Sequence, residues 1–213
     1  EALVNFIALL GWNAGDDREF YYMEELIAAF SVDRINKSGA VFNLEKLEWL
    51  NAEHLRAKSD EELAGLLREE LSKTGHDTAL YSTEFLIKVV QAMKERVRFV
   101  KEIPENAGYF FGKPDGYEEK GVQKAWKEET PKLLEAYIAK LNAIAADSKE
   151  DYETALRTCA EENGVGAGKL IHPVRLAVSG VSSGPGLFEI LEALGKDEVI
   201  DRIKTALEKI SLS

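Results

Sequence analysis

The 213-residue sequence has a single cysteine and no long apolar run. One cysteine, Cys159, excludes an internal disulfide bond and is typical of the reducing cytosol, so we expect a cytoplasmic protein. No segment reaches the 18 or more apolar residues that a membrane-spanning helix needs, so we expect no membrane partner.

Basic residues are also fewer than acidic residues in this sequence. The sequence has 27 Lys and Arg against 38 Asp and Glu, which gives a formal net charge of −11. This balance excludes a protein that coats nucleic acids without specificity, because such proteins are basic. A specific RNA reader remains open, because the electrostatic field that matters is local to the contact.

The start of the sequence lacks the features of a signal peptide. It begins with Glu1, without an initiator Met and without a basic region. Residues 2–10 instead have the apolar spacing of an amphipathic helix. We therefore expect the sequence to be a piece of a longer protein.

Sustained alternation of apolar and polar residues is absent too, and helical spacing dominates the sequence. Asn43, Ser59, Ser82 and Ser148 are predicted helix N-caps, while Ile103-Pro104 is predicted to break a helix. The sequence therefore predicts an all-α fold, with a linker at residues 112–116. The predicted helices are 2–10, 23–30, one following each N-cap (to about 55, 72, 97 and 162), 127–144, 187–194 and 197–210.

Residues 172–189 differ in composition from the segments around them. From Leu170 to Phe188 the only formally charged residue is Arg175, where the chain average of 31% would give about six. A lone arginine followed by a Gly/Ser/Pro segment is poorly explained as a solvated surface. We interpret the stretch as a loop that approaches a ligand, with one cation beside it.

The sequence does not match three common kinds of site: a phosphate-binding loop, a metal site and a nucleophile with its base. The segment Gly164-Val-Gly-Ala-Gly-Lys169 is not a phosphate-binding loop, because Asn163 and Leu170 stand where that motif needs Gly and Ser or Thr. The three histidines have no partners at metal-ligand spacing, so no metal site is expected. No nucleophile and base are suggested by spacing, and we predict no catalytic residue.

A basic segment lies at residues 94–101, Lys-Glu-Arg-Val-Arg-Phe-Val-Lys. On a regular helix Arg96 and Arg98 cannot face the same way, so one can reach a partner while the other pairs locally. Taken alone, the segment is compatible with a solvated helix end and with a nucleic-acid contact, and both interpretations remain open.

Three blocks of this sequence resemble bacterial glutamyl-tRNA synthetases, which are class I aminoacyl-tRNA synthetases. The blocks occur in the family's order and span nearly the whole chain. Gly39 replaces a frequent Pro and Asn43 a frequent Asp, and both still suit a turn and an N-cap. The blocks are Ala2-Leu-Val-Asn-Phe-Ile-Ala-Leu-Leu-Gly-Trp12 with Gly15-Asp-Asp; Lys37-Ser-Gly-Ala-Val-Phe-Asn-Leu-Glu-Lys-Leu-Glu-Trp-Leu-Asn51; and His172-Pro-Val-Arg-Leu-Ala-Val-Ser-Gly180 with Gly184-Pro-Gly-Leu-Phe-Glu-Ile-Leu-Glu-Ala-Leu-Gly-Lys196.

The resemblance implies the C-terminal, tRNA-binding part of such an enzyme. Family members carry an N-terminal Rossmann-type catalytic domain with HIGH-like and KMSKS-like motifs, which uses ATP and Mg²⁺, and neither motif occurs here. The implied organisation is a stem-contact fold at residues 1–60 and an anticodon-binding domain in two helical subdomains, 61–112 and 113–213. The implied partners are tRNA(Glu) and the chain's own catalytic domain. The whole enzyme would be a glutamate–tRNA ligase, whereas this part alone would need no cofactor and be inactive. We expect a monomer.

The resemblance also implies site residues. Arg96 corresponds to the arginine that reads the last anticodon base, a cytosine, with Arg98 as the alternative. Arg175 corresponds to the arginine of a His-Pro-Leu-Arg motif that contacts anticodon bases. The loop expected to pack on the splayed bases contains Gly184, where a Thr can occur, Pro185 and Leu187; Lys37 is an additional candidate contact.

Reading an anticodon with these residues agrees with the general physical principles of RNA recognition. Sequence-specific RNA recognition acts mostly on unstacked loop bases, which are read on their edges and packed against flat or apolar surfaces. Arginine offers a planar fork of donors, and Pro185 with Leu187 is expected to form an apolar wall. The alternative is a helical protein-interaction module whose apolar loop binds another protein without any RNA.

Overall fold

The computed structural model describes residues 1–36, 39, 41–145 and 147–210. Within these residues the chain forms twelve α-helices and no strand, which confirms the predicted all-α class. No helix of the described chain is long and apolar enough to cross a membrane. The candidate Lys37 lies outside the described residues. The helices are α1 (Ala2–Gly11), α2 (Met23–Ala29), α3 (Leu44–Ala57), α4 (Asp60–Lys73), α5 (Thr83–Met93), α6 (Glu102–Asn106), α7 (Glu119–Ala125), α8 (Thr130–Ala143), α9 (Lys149–Glu162), α10 (Gly168–Ser179), α11 (Leu187–Leu194) and α12 (Lys196–Lys209).

The predicted N-caps of four helices are confirmed. The side chains of Asn43, Ser59, Ser82 and Ser148 each accept a hydrogen bond from the backbone N–H three residues later, at the starts of α3, α4, α5 and α9. Such a bond satisfies a donor that the helix itself leaves open and contributes about 1 kcal/mol. These local signals therefore fix where a third of the helices begin.

The helix predicted for residues 83–97 is shorter than expected and ends at Met93. The Arg96 N–H bonds to the Met93 carbonyl in a tight turn, and the Glu102 carboxylate then accepts from the Arg98 N–H. Met93 and Val97 are both buried, so the apolar spacing continues through a segment that is no longer helical. The spacing alone therefore predicted too long a helix.

Three prolines lie inside helices, and Pro131 is at the start of α8, where the sequence also predicted a helix. At the other two the sequence predicted a break and a loop. Pro104 occupies the first turn of α6, where a missing N–H costs nothing. Pro173 lies within α10, whose buried positions include Leu170, Val174 and Ala177. This apolar face packs in the core, and tertiary packing overrides the local preference against proline. Helix α7 was not predicted from the sequence at all.

The buried apolar residues form two clusters. A small one, Trp12, Tyr21 and Leu26, lies in the N-terminal segment. The large one extends from Leu55 to Ala206 without a division at Gly112, and α5 packs on α11 across that point. The subdomain boundary at residues 112–113 stays a prediction.

The segment 112–116 has no regular structure, as predicted for a linker, and lies against the end of α10. At Gly180 (φ +77°) a Cβ would lie 2.6 Å from the Gly116 carbonyl oxygen and 2.8 Å from the Pro114 Cβ. The Glu118 N–H also donates to the Gly180 carbonyl at 2.8 Å. Glycine at 180 therefore lets the linker close onto α10, which places α7 alongside that helix.

Candidate nucleic-acid interface

The stretch 172–189 is a helix followed by a loop and a second helix. Arg175 lies on α10, so the expectation of a loop is wrong for the first half of the stretch and holds for residues 180–186. The loop connects α10 to α11 and turns back toward Arg175. A rigid helix therefore positions the arginine beside the loop.

Arg175 is half-buried and holds the loop in place. Its Nη1 donates to the Pro185 carbonyl at 2.8 Å. Burial lowers the pKa of the Arg175 guanidinium from its ordinary value, and the nearby charge of Arg96 lowers it further, while Tyr109 and Glu189 oppose the shift. Arginine nevertheless stays charged at neutral pH. Its remaining donors have no hydrogen-bond partner in the described part of the chain.

Gly184 brings the loop backbone against two polar side chains. Its φ is +147°, a conformation that residues with a Cβ rarely adopt. A Cβ built there would lie 3.1 Å from the Tyr109 hydroxyl oxygen and 3.7 Å from the Arg175 Nη1. A side chain at 184 would therefore press on the Tyr109 hydroxyl and adopt an unfavourable backbone conformation, so glycine favours this close approach.

Tyr109 belongs to this site, although no motif or spacing in the sequence selected it. Burial raises the pKa of Tyr109 to about 12, against the opposing charges of Arg175 and Arg96. Its hydroxyl is therefore a protonated donor at neutral pH. Among the described residues it makes no hydrogen bond and faces Gly184.

Arg96 and Arg98 have different surroundings. Arg98 forms an ion pair with Glu48 of α3. Arg96 is exposed and has no ion-pair partner among the described residues. Its charge opposes the raised pKa of Tyr109 and adds to the lowering of the pKa of Arg175. The structure thus brings Arg96 together with Arg175 and directs Arg98 to α3.

Pro185 and Leu187 do not form an exposed wall. Both are buried, Leu187 with only 4% of its surface exposed. The exposed part of the loop is residues 181–184, so the prediction of an apolar wall at Pro185 and Leu187 is wrong for this conformation. The Pro185 carbonyl instead accepts the hydrogen bond from Arg175.

The loop is also fastened at its two ends. The Glu118 carboxylate accepts hydrogen bonds from the Ser182 hydroxyl and, at 2.9 Å, from the Ser182 N–H. The Glu189 carboxylate accepts from the Gly186 N–H at 2.9 Å. Residues 182–186 are therefore held by contacts from α10, from α11 and from Glu118, the residue just before α7.

Arg202 supports the site from the core. It is 3% exposed, and its Nη1 donates to the Tyr109 carbonyl at 2.6 Å and to the Val178 carbonyl at 2.8 Å. Its Nε pairs with Glu198 one turn earlier on α12, at 2.7 Å. A buried arginine thus ties α12 to α10 and to the segment that carries Tyr109.

The described residues contain no group of three or more His, Cys, Asp or Glu that could hold a metal ion. The glycine-rich segment 163–168 connects α9 to α10. Cys159 is buried, and burial raises the pKa of its thiol. A buried thiol of raised pKa has the character of a small core residue.

The features above describe a helical domain in which two arginines, a tyrosine hydroxyl and a glycine loop converge. Family models give the class: residues 48–207 match the anticodon binding domain, and residues 1–49 match the catalytic domain of class I tRNA synthetases (E and Q). The chain belongs to the anticodon binding domain family.

Its relatives are, more particularly, glutamate–tRNA ligases. That of Chlorobium phaeobacteroides is 41% identical over 219 residues, covering 99% of this chain and 44% of the relative. That of Flavobacterium johnsoniae is 40% identical over 210 residues, covering 99% and 41%. A crystal structure of a glutamate tRNA ligase from Elizabethkingia meningosepticum has a TM-score of 0.91 at 33% identity, covering 99% of this chain and 41% of that one. The resemblance inferred from the sequence is confirmed, and the chain spans less than half the length of these relatives.

Proposed function

We propose that this chain is the tRNA-binding part of a glutamate–tRNA ligase and reads the anticodon of tRNA(Glu). The observation that carries the proposal is the convergence of Arg96, Tyr109, Arg175 and Gly184 in a domain of the anticodon-binding family. The glutamate–tRNA ligases among its relatives support the choice of tRNA(Glu).

The reading would use donors rather than a stacking wall. Arg96 and the free edge of Arg175 offer planar forks, and the Tyr109 hydroxyl offers one further donor to base edges or phosphates. The exposed backbone of residues 181–184 adds close approach without side-chain bulk. Unstacked anticodon bases expose the edges that such donors read.

The whole enzyme would activate glutamate with ATP and Mg²⁺ and transfer it to tRNA. In this proposal the catalytic domain that the resemblance implies binds ATP and Mg²⁺. Among the described residues, twelve of the fifteen exposed large apolar side chains fall within residues 1–49, the segment that matches the catalytic-domain model. Exposed apolar surface on this scale is typical of an interaction site, so we propose that this segment packs on the chain's own catalytic domain. The domain bounds 1–60, 61–112 and 113–213, a cytoplasmic location and a monomeric state belong to the same proposal.

The test is binding of the chain to a tRNA(Glu) anticodon stem-loop, measured by fluorescence anisotropy. Arg175→Ala is expected to weaken binding by roughly 1–3 kcal/mol, the cost of a good base contact. Arg157→Ala is the control, because the exposed Arg157 pairs with Glu153 on α9 and, among the described residues, bonds to no residue of the loop. Urea unfolding of each variant separates lost contact from lost fold.

Base specificity gives a second readout. Replacing the terminal anticodon cytosine by guanosine should weaken binding, and Arg96→Gln should abolish that difference while Arg98→Gln preserves it. Unchanged binding by both Arg96→Ala and Arg175→Ala would overturn the site. Absence of salt-dependent RNA binding by the wild type would favour the protein-interaction module instead.

A further inference from the structure

Helices α7 and α10 enclose a cavity of about 620 Å³ that lies outside the Arg175–Gly184 site. Its rim carries four lysines and one histidine, and no carboxylate lines it. Leu176 and Gly121 are its buried lining residues. We call this cavity the α7–α10 groove. The basic residues are Lys120, Lys124, Lys127, Lys169 and His172.

Local sequence explains why the lysines stand at the rim. Lys120 and Lys124 are four residues apart on α7, so they share one face of that helix. Between them Gly121 packs on α10, where a Cβ would lie only 3.0 Å from the Leu176 Cδ1. This contact brings α7 close to α10 and leaves the two lysines projecting beside the groove.

The groove is basic within an acidic chain. Residues 120–127 and 163–188, which contribute its lining, contain no Asp or Glu, whereas the whole chain has a net charge of −11. Among the described residues neither Lys120 nor Lys124 has an ion-pair partner, while Lys169 pairs with Glu129 at 2.8 Å. The nearby Glu118 is already bound to Ser182. Glu129 therefore neutralises Lys169, and the Glu118 carboxylate lies near Lys120. The groove keeps positive charge at Lys120 and Lys124, which form no ion pair among the described residues.

The groove is continuous with the loop of the candidate interface. Ser182 lines the groove and belongs to the same loop as Gly184. His172, also in the groove, lies one helical turn before Arg175 on α10. A strand of RNA whose bases lie at Arg175 and Gly184 would leave that site directly over the groove.

We propose that the α7–α10 groove binds the sugar–phosphate backbone of the RNA whose bases are read at Arg175 and Gly184. This inference rests on the proposed function and extends the interface to nucleotides that flank the anticodon. Phosphodiesters supply the repeated negative charge that complements the lysines, and the lining glycines have no side chain that would keep a sugar away. Lysine contacts of this kind position RNA without reading its sequence.

The test compares the full chain with the double variant Lys120→Gln/Lys124→Gln on the tRNA(Glu) anticodon stem-loop at several salt concentrations. Loss of two phosphate contacts should reduce the slope of log affinity against log salt by about 1.4, at about 0.7 per contact with single strands. The preference for the terminal cytosine should remain unchanged. The control is Lys204→Gln/Lys209→Gln on α12, which removes the same charge from exposed positions outside the groove.

Each outcome decides the matter. If the Lys120/Lys124 variant changes the slope no more than the α12 control, the groove proposal is overturned while the anticodon site stands. If the wild type binds no RNA, both proposals fall. If the groove lysines affect saturable binding of inorganic phosphate or a mononucleotide but not of RNA, the groove is a small-anion site and the RNA assignment is wrong.

Discussion

Arg202 offers a quantitative test of what holds the interface together. Its guanidinium is buried and supplies the hydrogen bonds of the Tyr109 and Val178 carbonyls. Arg202→Met keeps most of the apolar stem and removes both donors. A hydrogen bond to a charged donor contributes about 1.5–3 kcal/mol, so two of them predict a loss of roughly 3–6 kcal/mol in the free energy of unfolding. The Glu198 carboxylate is 37% exposed and adds little to this cost because water solvates it when the arginine is gone.

The matched control lies on α9. Arg157 pairs with Glu153 at the same four-residue spacing, and both glutamates are 37% exposed, but Arg157 is 55% exposed where Arg202 is 3%. Arg157→Met should therefore cost less than 1 kcal/mol. Urea unfolding followed by circular dichroism measures both. Equal losses for Arg202→Met and Arg157→Met would refute the argument that the buried carbonyls depend on Arg202.

Two further predictions concern stability. Gly180→Ala should lower the free energy of unfolding by more than Gly164→Ala, since both residues have a positive φ but only at 180 would the Cβ meet the linker backbone; urea unfolding compares them, and equal losses would contradict the packing argument. The hydrogen bond from Lys94 lowers the pKa of Asp60. Asp60 therefore adds stability above its unfolded pKa of about 3.8, and this contribution disappears as pH falls through the lower folded-state pKa. Asp60→Asn should destabilise the chain at pH 7, and this cost should shrink as pH falls below 3.8. At pH 7 it should exceed the cost of Asp201→Asn in an exposed pair, as measured by urea unfolding across this pH range.

The features of the fold that could be predicted from the sequence are those that depend on residues close together in the chain. Ser59, Ser82 and Ser148 correctly predicted the starts of three helices, because an N-cap bond joins residues only three positions apart. The family match directed attention to Arg96 and Arg175, and the structure brings them together.

Other features depend on distant contacts and had no local signal. Arg202 lies 93 residues from Tyr109, the residue whose carbonyl it binds, so no spacing rule connects them. The burial of Leu187 depends on core packing, which a Gly/Pro-rich context concealed. The two segments that line the groove, 120–127 and 163–188, can be seen in the sequence to lack Asp and Glu. That they lie side by side depends on the close contact of Gly121 with Leu176, which the sequence does not reveal.

The loop between α10 and α11 has a kinetic consequence. Bonds from Arg175, Glu118 and Glu189 hold residues 182–186 before any ligand arrives. A ligand then meets one conformation and does not have to order the loop, which removes part of the entropic cost of binding. Substitutions of side chains that contact the ligand should consequently change the dissociation rate of the complex far more than its association rate.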